Sequence, residues 1–347
     1  MTIWFVPEEK LRGLLRGREG QLVFGPTKTA GLSWLDAPGE DVSLEVLSEP
    51  RAAQSAKGFF LPAAELIARY GADVGDGAIA QATQVTLFGV RACELRARNY
   101  LDKVLLEGDF KDPAYIARRE QTTVITSDCV DCTETCFCTL VGGKPYATEG
   151  YDANITPLKE GYLLEVATER GETWLKDAGV SGLREADARH LERRGEQREA
   201  MVMRLEEQNR AYTFVANDET QPNLPEMDDP AWQQFAADCV ECGACTNICP
   251  TCHCFYLYDQ VLGKDKFERI RTWDSCLLST YHRMAGGVNM KISPRPDLFS
   301  RLANRVLHKF TYSPQQWQMM GCVGCGRCIE ACLGAIDIRQ VVQELQK

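Results

Sequence analysis

Two short runs of cysteine constrain this chain more than any other feature of its sequence. The first run occupies residues 239–250 (CVECGACTNICP), and the second occupies residues 322–332 (CVGCGRCIEAC). Both runs have the spacing C-x2-C-x2-C-x3-C, but Leu333 follows the second run where a proline follows the first. Iron–sulfur proteins that carry two cubane clusters show this repeated spacing.

The spacing also predicts how the thiols divide between two [4Fe–4S] clusters. Three cysteines on one tight loop can reach three irons of a cubane, whereas the fourth lies on the following helix and faces the other cubane. We therefore expect cluster 1 to be bound by Cys239, Cys242, Cys245 and Cys332. We expect cluster 2 to be bound by Cys322, Cys325, Cys328 and Cys249. Zinc is less favoured, because structural zinc sites usually show C-x2-C pairs or mixtures of Cys and His.

The composition places these thiols in a reducing environment. The chain has 347 residues, 16 cysteines and a formal net charge of −10. Its first residues (MTIWFVPEEK) lack the pattern of a secretory signal, and no apolar run approaches the ~18 residues of a membrane span. We therefore expect a cytoplasmic protein without a transmembrane segment, whose cysteines bind metal rather than form disulfides. The acidic balance argues against nucleic acid as a partner.

A second group of cysteines follows two predicted strands in the N-terminal half. Residues 85–90 (VTLFGV) and 122–127 (TTVITS) have the β-branched and apolar content of buried strands. Predicted helices up to Leu106 and over residues 113–120 connect them, so the two strands should run parallel. Ligands bind at the carboxyl ends of such strands. Cys93 and Cys129 follow these ends and are expected to converge.

Five thiols are available for a third cluster at this place. Residues 129–138 (CVDCTETCFC) add three further cysteines to Cys93 and Cys129. We expect cluster 3 to be bound by Cys93, Cys129, Cys136 and Cys138. Cys132 is an alternative to any one of these ligands. The competing interpretation treats Cys93 as a small buried apolar residue, as many free cysteines are.

Three cysteines remain without a predicted role: Cys252, Cys254 and Cys276. Together with His253 or Asp274 they could form a further metal centre, although C-x-C is a weak pattern and no fourth ligand is evident. A set of packed, reduced thiols is the simpler interpretation. No site is assigned to the histidines of this region, because a single histidine is more often structural than a ligand.

The predicted elements indicate a mixed fold, part α/β and part α+β. Residues 1–150 should form an N-terminal α/β domain with one [4Fe–4S] site. Residues 151–230 should contain a hairpin, a charged helix and a linker. Residues 231–347 should form a ferredoxin-like domain with two [4Fe–4S] clusters, interrupted by a large helical insert at residues 255–314.

Several elements are predicted within these parts. An amphipathic helix is expected at residues 7–18, with three leucines on one side. A hairpin is expected over residues 161–175, and a solvated helix interrupted at Gly195 over residues 184–210. Residues 218–230 have the Pro and acidic content of a linker.

The predicted insert is locally basic. Its cations are Lys264, Lys266, Arg269, Arg271, Arg283, Lys291, Arg295, Arg301, Arg305 and Lys309. An oxidised cubane with four thiolates carries a charge of about −2, so nearby cations would offset that charge and raise the reduction potential. Ordinary surface charge is an equally good interpretation of the pattern.

Motifs for two-electron chemistry are missing from the sequence. It contains neither the G-x-G-x-x-G fingerprint of nicotinamide-binding domains nor a P-loop. A chain that carries clusters but no substrate motif implies partner proteins that supply the chemistry.

The chain resembles the iron–sulfur β subunit of cytoplasmic sulfhydrogenases. It is also similar to the corresponding iron–sulfur subunit of anaerobic sulfite reductase and to that of flavin oxidoreductases associated with heterodisulfide reductase. The resemblance spans about residues 85–335. It rests on GVRACEL around Cys93, YIARR at 115–119, CVDCTETCFC at 129–138, CVECGACTNICPTCHC at 239–254, WDSC at 273–276, VLHKF at 306–310 and CVGCGRC at 322–328.

This resemblance implies an electron-transfer component of anaerobic metabolism. It implies Cys93, Cys129, Cys136 and Cys138 as ligands of the N-terminal cluster. Cys132 departs from the family pattern, because a residue that is not a ligand usually occupies this position. One implied partner is a flavoprotein that binds FAD and NAD(P). The other partner would be a terminal redox enzyme, namely a hydrogenase, a sulfite reductase or a heterodisulfide reductase. The alternative is a catalytic redox subunit with its own substrate or flavin centre.

Overall fold

A computed structural model describes residues 2–16, 21–29, 32–37, 43–71, 83–284 and 293–346. Its strands are β1 (Ile3–Val6), β2 (Leu22–Thr29), β3 (Leu32–Asp36), β4 (Ala64–Gly71), β5 (Val85–Val90), β6 (Thr122–Ser127), β7 (Ala153–Leu158), β8 (Gly161–Val166), β9 (Arg184–Glu185), β10 (Phe255–Gly263) and β11 (Lys266–Trp273). Its helices are α1 (Glu8–Leu15), α2 (Lys57–Phe60), α3 (Ala92–Leu105), α4 (Pro113–Gln121), α5 (Glu169–Asp177), α6 (Ala188–Gln208), α7 (Gln233–Ala236), α8 (Ala244–Asn247), α9 (Leu298–Leu307), α10 (Ser313–Trp317), α11 (Arg327–Glu330) and α12 (Ile338–Leu345).

A mixed eight-stranded sheet organises the N-terminal half. Its strand order is β3-β2-β5-β6-β7-β8-β1-β9. Four adjacent strands run parallel, namely β2, β5, β6 and β7. The remaining neighbours in the sheet are antiparallel. The predicted parallel pair is confirmed, with Leu87 of β5 opposite Val124 of β6. Every residue of β6 is buried, as expected for a strand covered on both faces.

The sheet continues beyond residue 150, where the sequence predicts the end of the N-terminal domain, because β7, β8 and β9 belong to it. The predicted hairpin over residues 161–175 is wrong. Strand β8 pairs instead with β7 and β1, and residues 169–177 form helix α5. The cause is local, because the Thr168 hydroxyl caps this helix by accepting a hydrogen bond from the backbone N–H of Gly171 at 3.1 Å.

Two helix predictions have different outcomes. The predicted N-terminal helix is observed as α1, with Leu11, Leu14 and Leu15 buried, and its expected last two residues lie outside the described residues. The predicted interruption at Gly195 is wrong, because α6 runs through it without a break. A single glycine costs a helix only about 1 kcal/mol, which 21 residues of mostly good helix formers offset.

The insert is not wholly helical, contrary to the prediction. It begins with the antiparallel hairpin β10–β11, and β11 pairs with β4 from the N-terminal half. The aromatic and β-branched content of FYLYDQVLG explains a strand at this place. Helix α9 forms only the later part of the insert and continues through a π-helical turn at residues 308–312 into α10.

Two glycines allow the cysteine-rich segments of both halves to pack together. Gly324 has φ 64°, and a Cβ built there would lie 2.5 Å from the Cα of Cys138. At Gly326, with φ 73°, a Cβ would clash with the carbonyl oxygen of Thr135. A hydrogen bond of 2.8 Å from the N–H of Phe137 to the carbonyl of Gly324 joins the same segments. Only glycine fits such a close approach in the left-handed region.

Among the helices of the described residues, none combines the length and the apolar character that crossing a bilayer requires.

Candidate metal centres

The two cysteine runs line two neighbouring cavities. The first cavity is lined by the thiols of Cys239, Cys242, Cys245 and Cys332. The second cavity is lined by those of Cys249, Cys322, Cys325 and Cys328. These are the two groups of four that the spacing predicts. Cys328 borders both cavities, so they share a wall.

A third cavity is lined by the N-terminal cysteines. Its wall contains Cys93, Cys129, Cys132, Cys136 and Cys138. Cys325 also lines it, so this cavity shares a wall with the second one. The three cavities therefore form a row in which the second lies between the first and the third.

Strand ends position the thiols of the third cavity. Cys93 lies in the first turn of α3, directly after β5, and Cys129 follows β6. Arg91 joins the two strand ends, because its guanidinium donates a 2.7 Å hydrogen bond to the carbonyl of Asp128. The N–H of Cys129 donates to the carbonyl of Pro145 at 2.8 Å. Hydrogen bonds to the backbone thus hold Cys93 and Cys129 near each other, as the sequence predicts.

Helix α6 covers these N-terminal thiols with one face. Met201 and Leu205 are buried against them, although the sequence predicts a solvated helix. The Cys132 thiol donates to the side-chain oxygen of Gln208 at 3.3 Å, and the Gln208 amide donates to the carbonyl of Cys136 at 2.6 Å. Cys132 therefore forms a hydrogen bond with α6 and also lines the cavity.

Cysteines border all three cavities, and thiolates are the donors that cubane clusters require. Tetrahedral zinc needs its ligand atoms within about 2.3 Å of one point. Within the ranges that the structure describes, no three His, Cys, Asp or Glu side chains are arranged to hold a metal ion. The thiols instead surround spaces, as ligands of a larger cluster must.

Burial controls the protonation of the N-terminal thiols. It raises the pKa of Cys129 to about 12, and it raises the pKa values of Cys93 and Cys138 well above the usual range. Metal ligation requires thiolates, so a cluster bound by these thiols would have to displace their protons.

Buried cations supply the compensating charge. The ammonium of Lys309 lies 3.2 Å from the sulfur of Cys249 and 2.8 Å from the hydroxyl oxygen of Thr251. Burial alone would lower the pKa of Lys309, but nearby thiolates, Cys249 foremost, raise it well above the usual range. Lys309 is only 5% exposed. A buried charge of this kind needs an anionic partner.

Arg305 is a second buried cation, on the wall of the first cavity. It is 5% exposed, and its Nε and Nη2 atoms have no hydrogen-bond partner among the described protein groups. Unpaired buried donors are costly, so these atoms require an acceptor inside the cavity. A cluster's sulfur atoms would provide it, which is an independent sign that the cavity fits such a group.

The other insert cations within the described residues do not line these cavities. Several are held in ion pairs instead, such as Arg301 with Glu241 at 2.7 Å and Arg269 with Asp259 at 2.8 Å. Lys291 lies outside the described residues.

Cations that sequence reasoning missed come from elsewhere in the chain. Arg327, at 1% exposure, pairs with Glu94 beside Cys93 and Cys325. Arg51 donates to the carbonyl of Cys325. No local sequence signal marks either arginine, because the partners of each are distant in the chain.

The three remaining cysteines take part in two separate thiol contacts. Cys252 donates a hydrogen bond to Cys249, whereas Cys254 accepts one from Cys276. His253 packs against Tyr100 and His308, with ring centroids 5.9 and 5.6 Å apart. Burial lowers the pKa of His253, and it lowers that of His308 to about 3, so burial favours the neutral form of both rings.

Comparisons with known proteins place this geometry in a family. Residues 238–336 match the family model described as a 4Fe-4S dicluster domain. The chain is 30% identical over 277 residues to the sulfhydrogenase 2 subunit beta of Pyrococcus furiosus. The alignment covers 79% of this chain and 75% of that relative. The matched domain contains both cysteine runs, so the chain carries a domain for two [4Fe–4S] clusters. By this similarity the chain belongs to the iron–sulfur β-subunit family that includes this sulfhydrogenase subunit.

Proposed function

We propose that this chain relays electrons one at a time through three [4Fe–4S] clusters between two partner subunits of an oxidoreductase complex. The observation that carries the proposal is the row of three thiol-lined cavities with shared walls. Cys328 lies between the first and second cavities, and Cys325 lies between the second and third. Neighbouring clusters would thus be separated by single cysteine residues, which suits electron transfer between them.

We assign the ligands as the sequence suggests. Cluster 1 takes Cys239, Cys242, Cys245 and Cys332. Cluster 2 takes Cys249, Cys322, Cys325 and Cys328. Cluster 3 takes Cys93, Cys129, Cys136 and Cys138. Cys132 is left to its hydrogen bond with Gln208. When bound, each cluster supplies a one-electron couple whose potential depends on nearby charge and hydrogen bonds.

The residues around the clusters then hold charge and exclude water. Lys309 and Arg305 place two buried positive charges beside the first and second cavities, and Arg327 places a third between the second and the third. Each cluster carries about −2 when oxidised, so these cations reduce the cost of adding an electron. Met201 and Leu205 of α6 shield cluster 3 from solvent on one side.

A further cavity gives an outside molecule access to cluster 3. Its volume is about 260 Å³, and Cys93 and Cys138 lie in its wall. Polar groups from Arg96, Lys144 and Asp218 line the same space. We place the electron donor here, in the form of the redox group of a flavoprotein subunit that binds FAD and NAD(P).

The terminal acceptor would then lie at the cluster 1 end of the row. A hydrogenase is the first choice, because the relative is named as part of a sulfhydrogenase. A sulfite reductase or a heterodisulfide reductase is the alternative. We place the complex in the cytoplasm, where reduced thiols are maintained.

A second candidate function is a catalytic redox subunit with its own substrate or flavin centre. The polar 260 Å³ cavity beside Cys93 and Cys138 favours it, because small-molecule sites are concave and combine few polar groups with shielded walls. The isolated chain would then bind flavin or oxidise a nicotinamide without partners.

Rapid kinetics on the assembled complex tests the relay. Reduced nicotinamide is mixed anaerobically with the complex, and cluster reduction is followed by its visible absorbance. We expect Cys129→Ser to abolish electron delivery while clusters 1 and 2 remain loaded, and the control Cys132→Ser to retain it. Normal delivery in a Cys129→Ser complex that lacks cluster 3 would contradict the relay. Nicotinamide oxidation by the isolated chain would establish the catalytic alternative.

A further inference from the structure

Cys254 and Cys276 form a thiol pair that none of the three cavities uses. The Cys276 thiol donates a hydrogen bond to the sulfur of Cys254. The backbone holds the two segments together, because the N–H of Asp274 donates to the carbonyl of Cys254 at 3.0 Å. Directly beyond, Phe255 pairs with Trp273 at the base of the β10–β11 hairpin. Backbone pairing between the two segments therefore holds the sulfurs of Cys254 and Cys276 near each other.

The pair is shielded and chemically activated. Cys276 is 6% exposed, and the hydroxyl of Tyr281 donates a second hydrogen bond to Cys254. The hydrogen bond from Cys276 is the main cause that lowers the pKa of Cys254 to about 6. Thiolates are the reactive form of cysteine, and paired thiols of this kind occur in redox sites.

The pair also lies close to the second cavity. Cys252 donates its hydrogen bond to Cys249, which lines that cavity, and the charge of Cys276 acts on Cys252. The charge of Lys309, which contacts Cys249, also acts on both members of the pair. Cys252 therefore contacts the wall of the second cavity through Cys249 and lies within electrostatic range of Cys276.

We propose that Cys254 and Cys276 form a dithiol/disulfide couple that exchanges electrons with cluster 2. Oxidation breaks two S–H bonds, forms one S–S bond and releases two protons and two electrons. The electrons leave one after the other through cluster 2 to the terminal acceptor, and reduction reverses each change. The couple would let one-electron carriers store a pair of electrons, as delivered by a two-electron donor. This inference rests on the proposed relay, because the relay supplies the electron path.

The test uses the complete chain, isolated anaerobically with its clusters. Samples are poised oxidised with mediator dyes or reduced with dithionite, quenched in acid, alkylated and mapped by mass spectrometry. We expect a peptide linked through Cys254 and Cys276 in oxidised samples, and two alkylated thiols in reduced ones. In reductive titration the wild type should take up about two more electrons than Cys254→Ser or Cys276→Ser. The control Cys132→Ser should keep the linked peptide.

Two results would overturn the couple. One is full alkylation of both thiols in oxidised wild-type protein whose iron content is intact, and this measurement needs no variant. The other is loss of iron in both serine variants, which would make the two cysteines metal ligands. Failure of the relay looks different, because it would show as missing clusters or as clusters that the partner cannot reduce. Tyr281→Phe adds a graded variant, since it should keep the disulfide while slowing alkylation of Cys254 at pH 7.

Discussion

The ammonium of Lys309 lies 3.2 Å from the sulfur of Cys249, and both residues are buried. This places a positive charge against the wall of the second cavity, within reach of a group with a charge of about −2. The contact joins the helical part of the insert to the first cysteine run, so the insert contributes to the electrostatics of the cluster pair.

Replacing Lys309 should lower the reduction potential of cluster 2. For Lys309→Met we expect a shift of roughly 50–100 mV towards negative values, because a buried unit charge a few ångströms away contributes on the order of 1–3 kcal/mol per electron. Potentiometric titration followed by electron paramagnetic resonance measures the shift. Lys309→Arg keeps the charge and should stay within about 30 mV of the wild type. An unchanged potential in Lys309→Met would contradict this role.

Arg305 should affect both clusters of the C-terminal domain. Burial opposes its charge, but the thiolates of Cys245 and Cys328 raise its pKa well above the usual range. We expect Arg305→Gln to lower the potentials of clusters 1 and 2 by roughly tens of millivolts. The same titration checks this, with Arg301→Gln as the control, because Arg301 is paired with Glu241. Equal shifts in both variants would argue against a specific role.

Gly324 should be required for docking the N-terminal cysteines on the second run. Gly324→Ala places a Cβ 2.5 Å from the Cα of Cys138 at a φ of 64°. We expect a loss of about 2–4 kcal/mol in the free energy of unfolding and depletion of about four irons per chain. Denaturant unfolding and iron analysis measure these effects. Gly195→Ala is the matched control, since its Cβ meets nothing within 4 Å, and it should leave iron unchanged.

His308 should make the protein sensitive to acid. Burial lowers its pKa from 6.5 to about 3. The unfolded chain therefore binds a proton at pH values where the folded chain does not, so the stabilising contribution is present above pH 6.5 and is lost as the pH falls towards 3. We expect the unfolding temperature of the wild type to fall more steeply between pH 7 and pH 5 than that of His308→Gln. Parallel curves would refute the prediction.

Local patterns account for what could be predicted from the sequence. The β5–α3–α4–β6 unit and the proximity of Cys93 and Cys129 follow from strand composition and from the parallel pairing of strands that helices connect. The grouping of the thiols around the first two cavities follows from cysteine spacing. Each of these depends on residues close together in the chain or on a general rule of topology.

Long-range packing and side-chain caps account for what could not be predicted. Helix α5 occupies residues where alternation predicts a strand, because its cap at Thr168 is a side-chain feature that alternation does not reveal. The pairing of β11 with β4 joins segments far apart in sequence, and no local signal announces it. The same holds for Arg327 and Gln208, whose roles depend on neighbours brought by the fold.

The iron and acid-labile sulfide content of anaerobically isolated chain tests the central claim most directly. Three cubane clusters predict about twelve irons and twelve sulfides per chain, with negligible zinc. Eight irons and eight sulfides would mean that cluster 3 is absent, which would contradict the proposed route from the flavoprotein. A colourless protein loaded with zinc would contradict the relay altogether.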